Sequence, residues 1–154
     1  MDKKYVTWDE IQTAIENYDI IGKYGDVDVV VSIGAGGMIP GVIISKILDK
    51  PVVNIGIKTY NTNTSEQTFT VTMYQKFDFK KSLHKKVLIV DDINDTGFTL
   101  ASINNHLMSG FHTEEDVKYF TVFSKPKSYF RCDSAIEVSN ETWLVFPWEV
   151  KYER

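Results

Sequence analysis

The feature that most constrains the fold is a pair of short, mainly apolar runs, one at residues 28–33 (DVVVSI) and one at residues 87–90 (VLIV). Both are rich in β-branched side chains and lack the polar alternation of a half-exposed strand. Such runs are typical of strands buried on both faces, as in a parallel sheet. Because parallel strands need crossover connections, helices are expected between them.

Segments with helical spacing lie between these strands. Residues 7–10 (TWDE) have the T-x-x-E pattern of a capping box, which predicts a helix N-terminus. Pro40 can open a second helix that ends before Pro51, and a third covers residues 100–107 and stops at Gly110. Further strands are predicted at residues 52–57, 69–74, 117–123 and 135–138. The alternation predicts an α/β fold, a mainly parallel sheet flanked by helices.

Length and composition limit the function classes. The 154 residues suit a single domain, 1–154, and the net charge of −4 argues against a general nucleic-acid binder. The single cysteine, Cys132, excludes an internal disulfide and a multi-thiolate zinc site. The sequence has no apolar run of membrane-spanning length and no apolar signal core, so no membrane partner and a cytoplasmic location are expected.

The run at residues 87–90 leads directly into acidic and small polar residues. In a parallel sheet, ligands bind beyond the carboxyl ends of the strands, where Asp91 and Asp92 would lie. Residues 95–99 (DTGFT) then turn into a helix, whose N-terminal N–H groups and dipole favour phosphate. Carboxylates next to a phosphate site would repel the ligand unless ribose hydroxyls or Mg²⁺ intervened. The stretch therefore predicts a ribose 5-phosphate pocket with a metal nearby.

This stretch, VLIVDDINDTGFTL at residues 87–100, resembles the phosphoribosyl pyrophosphate (PRPP) motif of type I phosphoribosyltransferases. The motif consists of an apolar strand, two acids, two spacers and D-T-G-x-T. Other segments resemble the bacterial xanthine–guanine (purine) branch of that family, and they occur in the same order. These are residues 5–9 (YVTWD), the pyrophosphate loop and helix at 32–41 (SIGAGGMIPG), the purine-reading lysine segment at 123–126 (FSKP) and the base-stacking segment at 142–148 (TWLVFPW).

The resemblance implies transfer of phosphoribose from PRPP to a 6-oxopurine base (guanine, xanthine or hypoxanthine), giving the nucleoside monophosphate and pyrophosphate. It implies Mg²⁺ as cofactor, held mainly by Asp92 with Asp91 as a second candidate, largely through water and the ligand. The ribose phosphate would be bound by Asp91, Asp92, Asp95, Thr96, Gly97, Phe98 and Thr99. The pyrophosphate loop would comprise Ala35, Gly36 and Gly37.

The same resemblance implies a small C-terminal hood that binds the base. Asp95 would act as the catalytic base facing the purine N7, and Lys125 would donate to O6. Trp143 would stack on the ring, and the backbone around Leu144 and Trp148 would read the 2-position. Judged alone, Lys125 also fits a solvated surface lysine, and Trp148 fits a core or interface residue better than a ligand contact. A homo-oligomer, dimer or tetramer, is expected.

Two departures from the family pattern keep other functions open. Ala35 stands where the pyrophosphate loop usually carries Arg or Lys, and residues 59–75 contain no Lys or Arg. One alternative is an enzyme that uses the same pocket on another base or nucleotide. The other is a non-catalytic nucleotide sensor.

Overall fold

The computed structural model describes residues 1–61, 69–75, 86–109 and 112–149, with the backbone alone described at 58–61 and 69–75. The elements follow in chain order: β1 (Asp2–Tyr5), α1 (Trp8–Glu16), α2 (Ile20–Tyr24), β2 (Val29–Gly34), α3 (Met38–Leu48), β3 (Val52–Asn61), β4 (Phe69–Gln75), β5 (Val87–Asn94), α4 (Phe98–Met108), β6 (Val117–Ser124), β7 (Asp133–Glu137), β8 (Thr142–Val145) and a 3-10 turn (Pro147–Glu149).

A six-stranded sheet in the order β4-β3-β2-β5-β6-β7 organises these elements. The β3–β4 pair is antiparallel and the other neighbouring pairs are parallel, which confirms the predicted α/β fold. The two apolar runs are the central strands β2 and β5. Alternate side chains point to opposite faces, so Val30 and Leu88 pack in one core layer while Val31 and Ile89 pack in the other.

Several predicted boundaries were wrong, among them the end of β3, which continues to Asn61 instead of stopping at residue 57. Strand β5 continues to Asn94 because β6 runs beside it, with Asp91 opposite Thr121 and Ile93 opposite Phe123. The two aspartates therefore belong to the strand instead of following it. Helix α3 begins at Met38, so that Pro40 is its third residue, a position in the first turn where its missing N–H costs little. Strand β7 covers residues 133–137 instead of 135–138, because it pairs with β6 from Asp133 onward.

The predicted capping box is confirmed at α1. Thr7 Oγ1 accepts a hydrogen bond from the Glu10 N–H at 3.1 Å, and Glu10 Oε2 accepts one from the Thr7 N–H at 3.5 Å. The helix that follows buries Ile11 and Ile15 against the sheet. None of the helices in the described ranges combines the length and the apolarity needed to cross a bilayer.

A second, two-stranded sheet joins the two ends of the described chain. Strand β1 pairs in parallel with β8, placing Lys3 opposite Trp143 and Lys4 opposite Leu144. After β8, the ring of Phe146 stacks on Trp148 with centroids 4.9 Å apart. This sheet fixes the segment that the sequence predicted as the base-binding hood. Neither β1 nor α2 was predicted.

Candidate active site

The turn between β5 and α4 forms the first half of the site. Residues 91–100 line a cavity of about 240 Å³, which includes Thr96, Gly97, Phe98 and Thr99. Thr96 Oγ1 accepts a hydrogen bond from the Phe98 N–H at 3.3 Å, and the N-terminus of α4 opens here. A helix N-terminus presents N–H groups and a positive dipole end, so this cavity suits a phosphate group.

Gly97 is required by the shape of this turn. Its φ is +93°, in the left-handed region that favours glycine. A Cβ at this position would also lie 2.6 Å from the Phe130 nitrogen and 2.7 Å from Ser128 Oγ. The turn at residues 95–99 (the phosphate turn) is thus packed directly against the loop that follows Lys125.

Asp91 and Asp92 lie half-buried at the carboxyl end of β5, inside the same cavity. Asp91 Oδ1 accepts from the Asp92 N–H at 2.9 Å, and Asp92 Oδ1 accepts from the Ile93 N–H at 2.7 Å. Burial, followed by the charge of Asp92, raises the pKa of Asp91 well above its ordinary range. Burial raises the pKa of Asp92 to about 6, and the charge of Glu149 adds to the rise. Ionising both carboxyls is therefore unfavourable, because both are buried and their negative charges repel each other.

These two carboxylates fit a divalent cation. Within the described residues, neither forms an ion pair with a basic side chain. Paired oxygens without a counter-charge are the ligands that Mg²⁺ takes, usually together with water and substrate phosphate. In the same part of the chain, no three His, Cys, Asp or Glu side chains converge on a metal position. The described residues therefore offer Mg²⁺ a carboxylate pair rather than a complete cage.

The predicted pyrophosphate loop lies beside this carboxylate pair. Ala35, Gly36 and Gly37 connect β2 to α3, and the Ala35 side chain is exposed. A Cβ at Gly36 would collide with the Asp92 carboxylate, and a Cβ at Gly37 would lie 2.8 Å from the Ile33 carbonyl oxygen. Gly36 thus lets this loop approach Asp92 closely, and Gly37 lets it pack against the end of β2.

A second cavity, of about 210 Å³, adjoins the first. It is lined by Asp92, Ile93, Asp95, Lys125, Trp143, Leu144, Phe146 and Glu149. Asp92 and Asp95 line both cavities, so the two are contiguous. Trp143 is 51% exposed and offers an aromatic surface, whereas Leu144, the next residue of β8, is buried. The structure thus brings together the predicted base-binding residues.

Lys125 is buried, with 3% of its surface exposed, so the alternative of a solvated surface lysine is wrong. Its ammonium donates to Asp95 Oδ2 at 3.4 Å. Lys127 Nζ lies 2.9 Å from the other oxygen, Asp95 Oδ1, but without hydrogen-bond geometry. Two lysines therefore face one carboxylate. The sequence analysis singled out Lys125 but not Lys127, although the K-P-K spacing places both on one loop.

Trp148 does not line the cavity. Its ring stacks on Phe146 and lies 5.7 Å from that of Trp8, so its interpretation as a packing residue holds. Ile93, Phe146 and Glu149 also line the cavity, although none of them was predicted as a site residue. Pro147 could have signalled a turn that brings Glu149 near the end of β8, whereas Ile93 carried no signal. The side chains of residues 59–75, where basic residues are absent, lie outside the described part of the chain.

The fold and the site define an α/β protein with a helix N-terminus, a carboxylate pair and a glycine loop at the carboxyl ends of parallel strands. Residues 7–154 match the model of the phosphoribosyl transferase domain family. The chain belongs to this family.

The relatives of the chain include two that are more than 30% identical to it. A xanthine-guanine phosphoribosyltransferase of Cereibacter sphaeroides is 35% identical over 123 residues, covering 79% of this chain and 68% of that protein. The crystal structure of a purine phosphoribosyltransferase from Pyrococcus horikoshii has a TM-score of 0.76 and 31% identity, covering 100% of this chain and 99% of that one. A xanthine-guanine-hypoxanthine phosphoribosyltransferase of Helicobacter pylori shares the fold, with a TM-score of 0.75 at 19% identity over 96% of this chain and 94% of its own.

Proposed function

We propose that this protein transfers the 5-phosphoribosyl group from PRPP to a 6-oxopurine base, releasing pyrophosphate and the nucleoside monophosphate. The names of the two relatives above 30% identity support purines as the base class. The observation that carries the choice of a 6-oxopurine is the buried Lys125 in the cavity next to the phosphate turn.

A buried ammonium requires acceptors, because water no longer solvates it. Within the described residues, the hydrogen bond of Lys125 Nζ is the one to Asp95 Oδ2, and at 3.4 Å it is long. An ammonium carries three protons, so Lys125 can bond to Asp95 and still donate to a ligand. The carbonyl oxygen of a 6-oxopurine is such an acceptor, whereas the amino group of adenine is a donor.

The other residues fit the remaining parts of the substrates. Trp143 supplies a surface on which a base ring stacks. Asp95 supplies a carboxylate within the same cavity, where it accepts the proton of the purine N7. Ribose hydroxyls donate to Asp91 and Asp92. The 5-phosphate accepts hydrogen bonds from backbone N–H groups between Thr96 and Thr99. Asp92 and Asp91 would also hold Mg²⁺, which supplies positive charge to the pyrophosphate leaving group.

The direct test is nucleotide formation from PRPP with guanine, xanthine, hypoxanthine and adenine in separate reactions with Mg²⁺. We expect a nucleoside monophosphate from at least one 6-oxopurine and little from adenine. Equal rates with adenine would contradict the role of Lys125. No product from any base would leave the family membership intact but remove the activity.

One observation favours the second candidate function, in which the same pocket acts on another base or nucleotide or senses a nucleotide without catalysis. The exposed side chain in the pyrophosphate loop is Ala35, which offers no charge to pyrophosphate. If the monophosphate binds and PRPP does not, this second function replaces the first. A calorimetric titration with both ligands distinguishes the two.

An oligomeric assembly, dimer or tetramer, is part of the proposal. Met38, Ile39 and Val42 are 45%, 38% and 48% exposed and lie together on α3. Neighbouring exposed apolar side chains are typical of protein interfaces. The mass measured by light scattering tests this assignment.

A further inference from the structure

The loop that carries Lys125 and the turn that binds phosphate are joined by a buried polar pair that the proposed mechanism does not use. Asn94 is the last residue of β5 and lies just before Asp95, with 4% of its surface exposed. Ser128 lies three residues after Lys125 and is 3% exposed. Ser128 Oγ donates to Asn94 Oδ1 at 2.9 Å.

The orientation of the Asn94 amide follows from its partners. Its Nδ2 lies 2.7 Å from the Phe130 carbonyl oxygen, which can only accept, so this atom must be the donor. The amide oxygen then faces the Ser128 hydroxyl. Both ends of the side chain are thereby bonded to residues 128–130. A buried amide that is bonded at both ends holds its neighbours in one geometry.

Backbone hydrogen bonds connect the same two segments on either side of this pair. The Lys125 N–H donates to the Asn94 carbonyl at 3.0 Å, and the Tyr129 N–H donates to the Thr96 carbonyl at 3.1 Å. The absence of a side chain at Gly97 lets the turn pack against Ser128 Oγ. Backbone and side-chain hydrogen bonds thus hold the loop that carries Lys125 against the phosphate turn.

We propose that Asn94 and Ser128 are positioning residues that set the distance between the 5-phosphate turn and the Lys125 ammonium. The inference rests on the proposed function, because it assumes that a base and a ribose phosphate occupy the two adjoining cavities. A nucleotide would occupy both cavities at once, and the distance between its 5-phosphate and its base limits the spacing that both must match. A shift of the loop would separate Lys125 from the base without disturbing the phosphate contacts.

The prediction is therefore specific to ligands that span both cavities. We define the base gain as the dissociation constant of ribose 5-phosphate divided by that of GMP, both measured by calorimetry at one fixed Mg²⁺ concentration. Ser128→Ala and Asn94→Leu, which is nearly isosteric, should each lower the base gain by roughly 10-fold, on the scale of losses caused by small misplacements. The affinity for ribose 5-phosphate alone should stay within about 3-fold, since the turn itself is intact.

Two further variants separate positioning from general stability. The double variant Asn94→Leu/Ser128→Ala should lose no more base gain than Asn94→Leu alone, because that replacement already removes the contact with Ser128. Ser45→Ala is the matched control: Ser45 is 4% exposed and donates to the Val42 carbonyl within α3, away from both cavities. It should leave the base gain unchanged. If Ser128→Ala does not fold, Ser128→Cys, of nearly equal size, replaces it.

A wild-type protein that binds GMP no better than ribose 5-phosphate would overturn the proposed function, before any variant is compared. With a normal wild-type base gain, the positioning role is overturned by either of two results. One is an unchanged base gain in both single variants, even if their melting temperatures fall. The other is an equal loss in Ser45→Ala.

Discussion

The ammonium of Lys125 lies 3.4 Å from Oδ2 of Asp95, although the two residues are 30 positions apart in the chain. The lysine side chain is 2% exposed, whereas that of the aspartate is 37% exposed toward the cavities. Water therefore does not solvate the Lys125 ammonium. A ligand in the second cavity, which the base is proposed to occupy (the base cavity), meets a donor and a carboxylate side by side.

Replacing Lys125 by alanine should change the choice of base. Loss of a charge-assisted hydrogen bond to O6 costs about 1.5–3 kcal/mol, whereas adenine has no acceptor at that position to lose. The ratio of kcat/KM for adenine to that for guanine should therefore rise. Lys127→Ala is the matched control, since Lys127 is exposed and does not line the base cavity. An unchanged ratio in Lys125→Ala would contradict the assignment.

Trp143→Ala should weaken every base by about 1–3 kcal/mol, because ring stacking does not depend on the exocyclic groups. Binding of GMP and IMP measured by fluorescence or calorimetry checks this. Trp148→Ala serves as the comparison, because Trp148 packs on Phe146 and Trp8 outside the cavity. That variant should lower the melting temperature more than the affinity. If instead Trp148→Ala weakened binding and Trp143→Ala lowered only the melting temperature, Trp148 would be the residue that stacks on the base.

The stability of the ligand-free protein should fall as the pH rises from about 4 to about 6. The pKa of Asp92 is about 6 in the folded protein against an ordinary value of 3.8, so between these values the folded state holds the extra proton. Stability decreases with pH wherever the folded state binds more protons. Asp92→Asn removes this contribution, and the variant should be more stable than wild type at pH 7 to 8 without Mg²⁺.

Urea unfolding at pH values from 4 to 8 measures this effect. Asp91, whose pKa is also raised, should retain part of the pH dependence in the Asp92→Asn variant. The same variant should lose Mg²⁺-dependent binding of PRPP, since the carboxylate would no longer contact the metal. If wild type and variant have parallel pH profiles, Asp92 is not the group responsible.

Restoring a cation in the pyrophosphate loop should tighten PRPP selectively. Ala35 is exposed, so Ala35→Arg has room, and each charge-assisted bond to a phosphate is worth about 1.5–3 kcal/mol. Affinity for PRPP and pyrophosphate should increase, most clearly at low Mg²⁺. The affinity for GMP should barely change, because the proposed site of its phosphate is the turn at Thr96 to Thr99. Tight binding of PRPP by wild type without Mg²⁺ would show that the wild-type loop lacks no essential charge.

The sequence by itself determined the central strands and the capping box. It also indicated most of the residues that line the two adjoining cavities. A strand with apolar side chains on both faces is stable only when both faces are buried, so β2 and β5 were predictable from the local pattern. The pattern D-D-x-x-D-T-G-x-T restricts the local geometry. A strand end followed by a glycine turn and a helix can place its acidic side chains and N–H groups in few ways. The mutual position of these parts was not encoded locally.

Only the tertiary structure decided that β1 pairs with β8, that Lys125 is buried against Asp95, and that Asn94 bonds to Ser128. Each contact joins residues that are distant in sequence, and the side chains of the last two pairs are polar types, which are mostly exposed in proteins. Their burial follows from the pairing of β5 with β6, which carries both strands past the sheet core and brings the following loops together. Hydrophobic periodicity specifies which strands are inside, but hydrogen bonds between loops form only after those strands have been placed side by side.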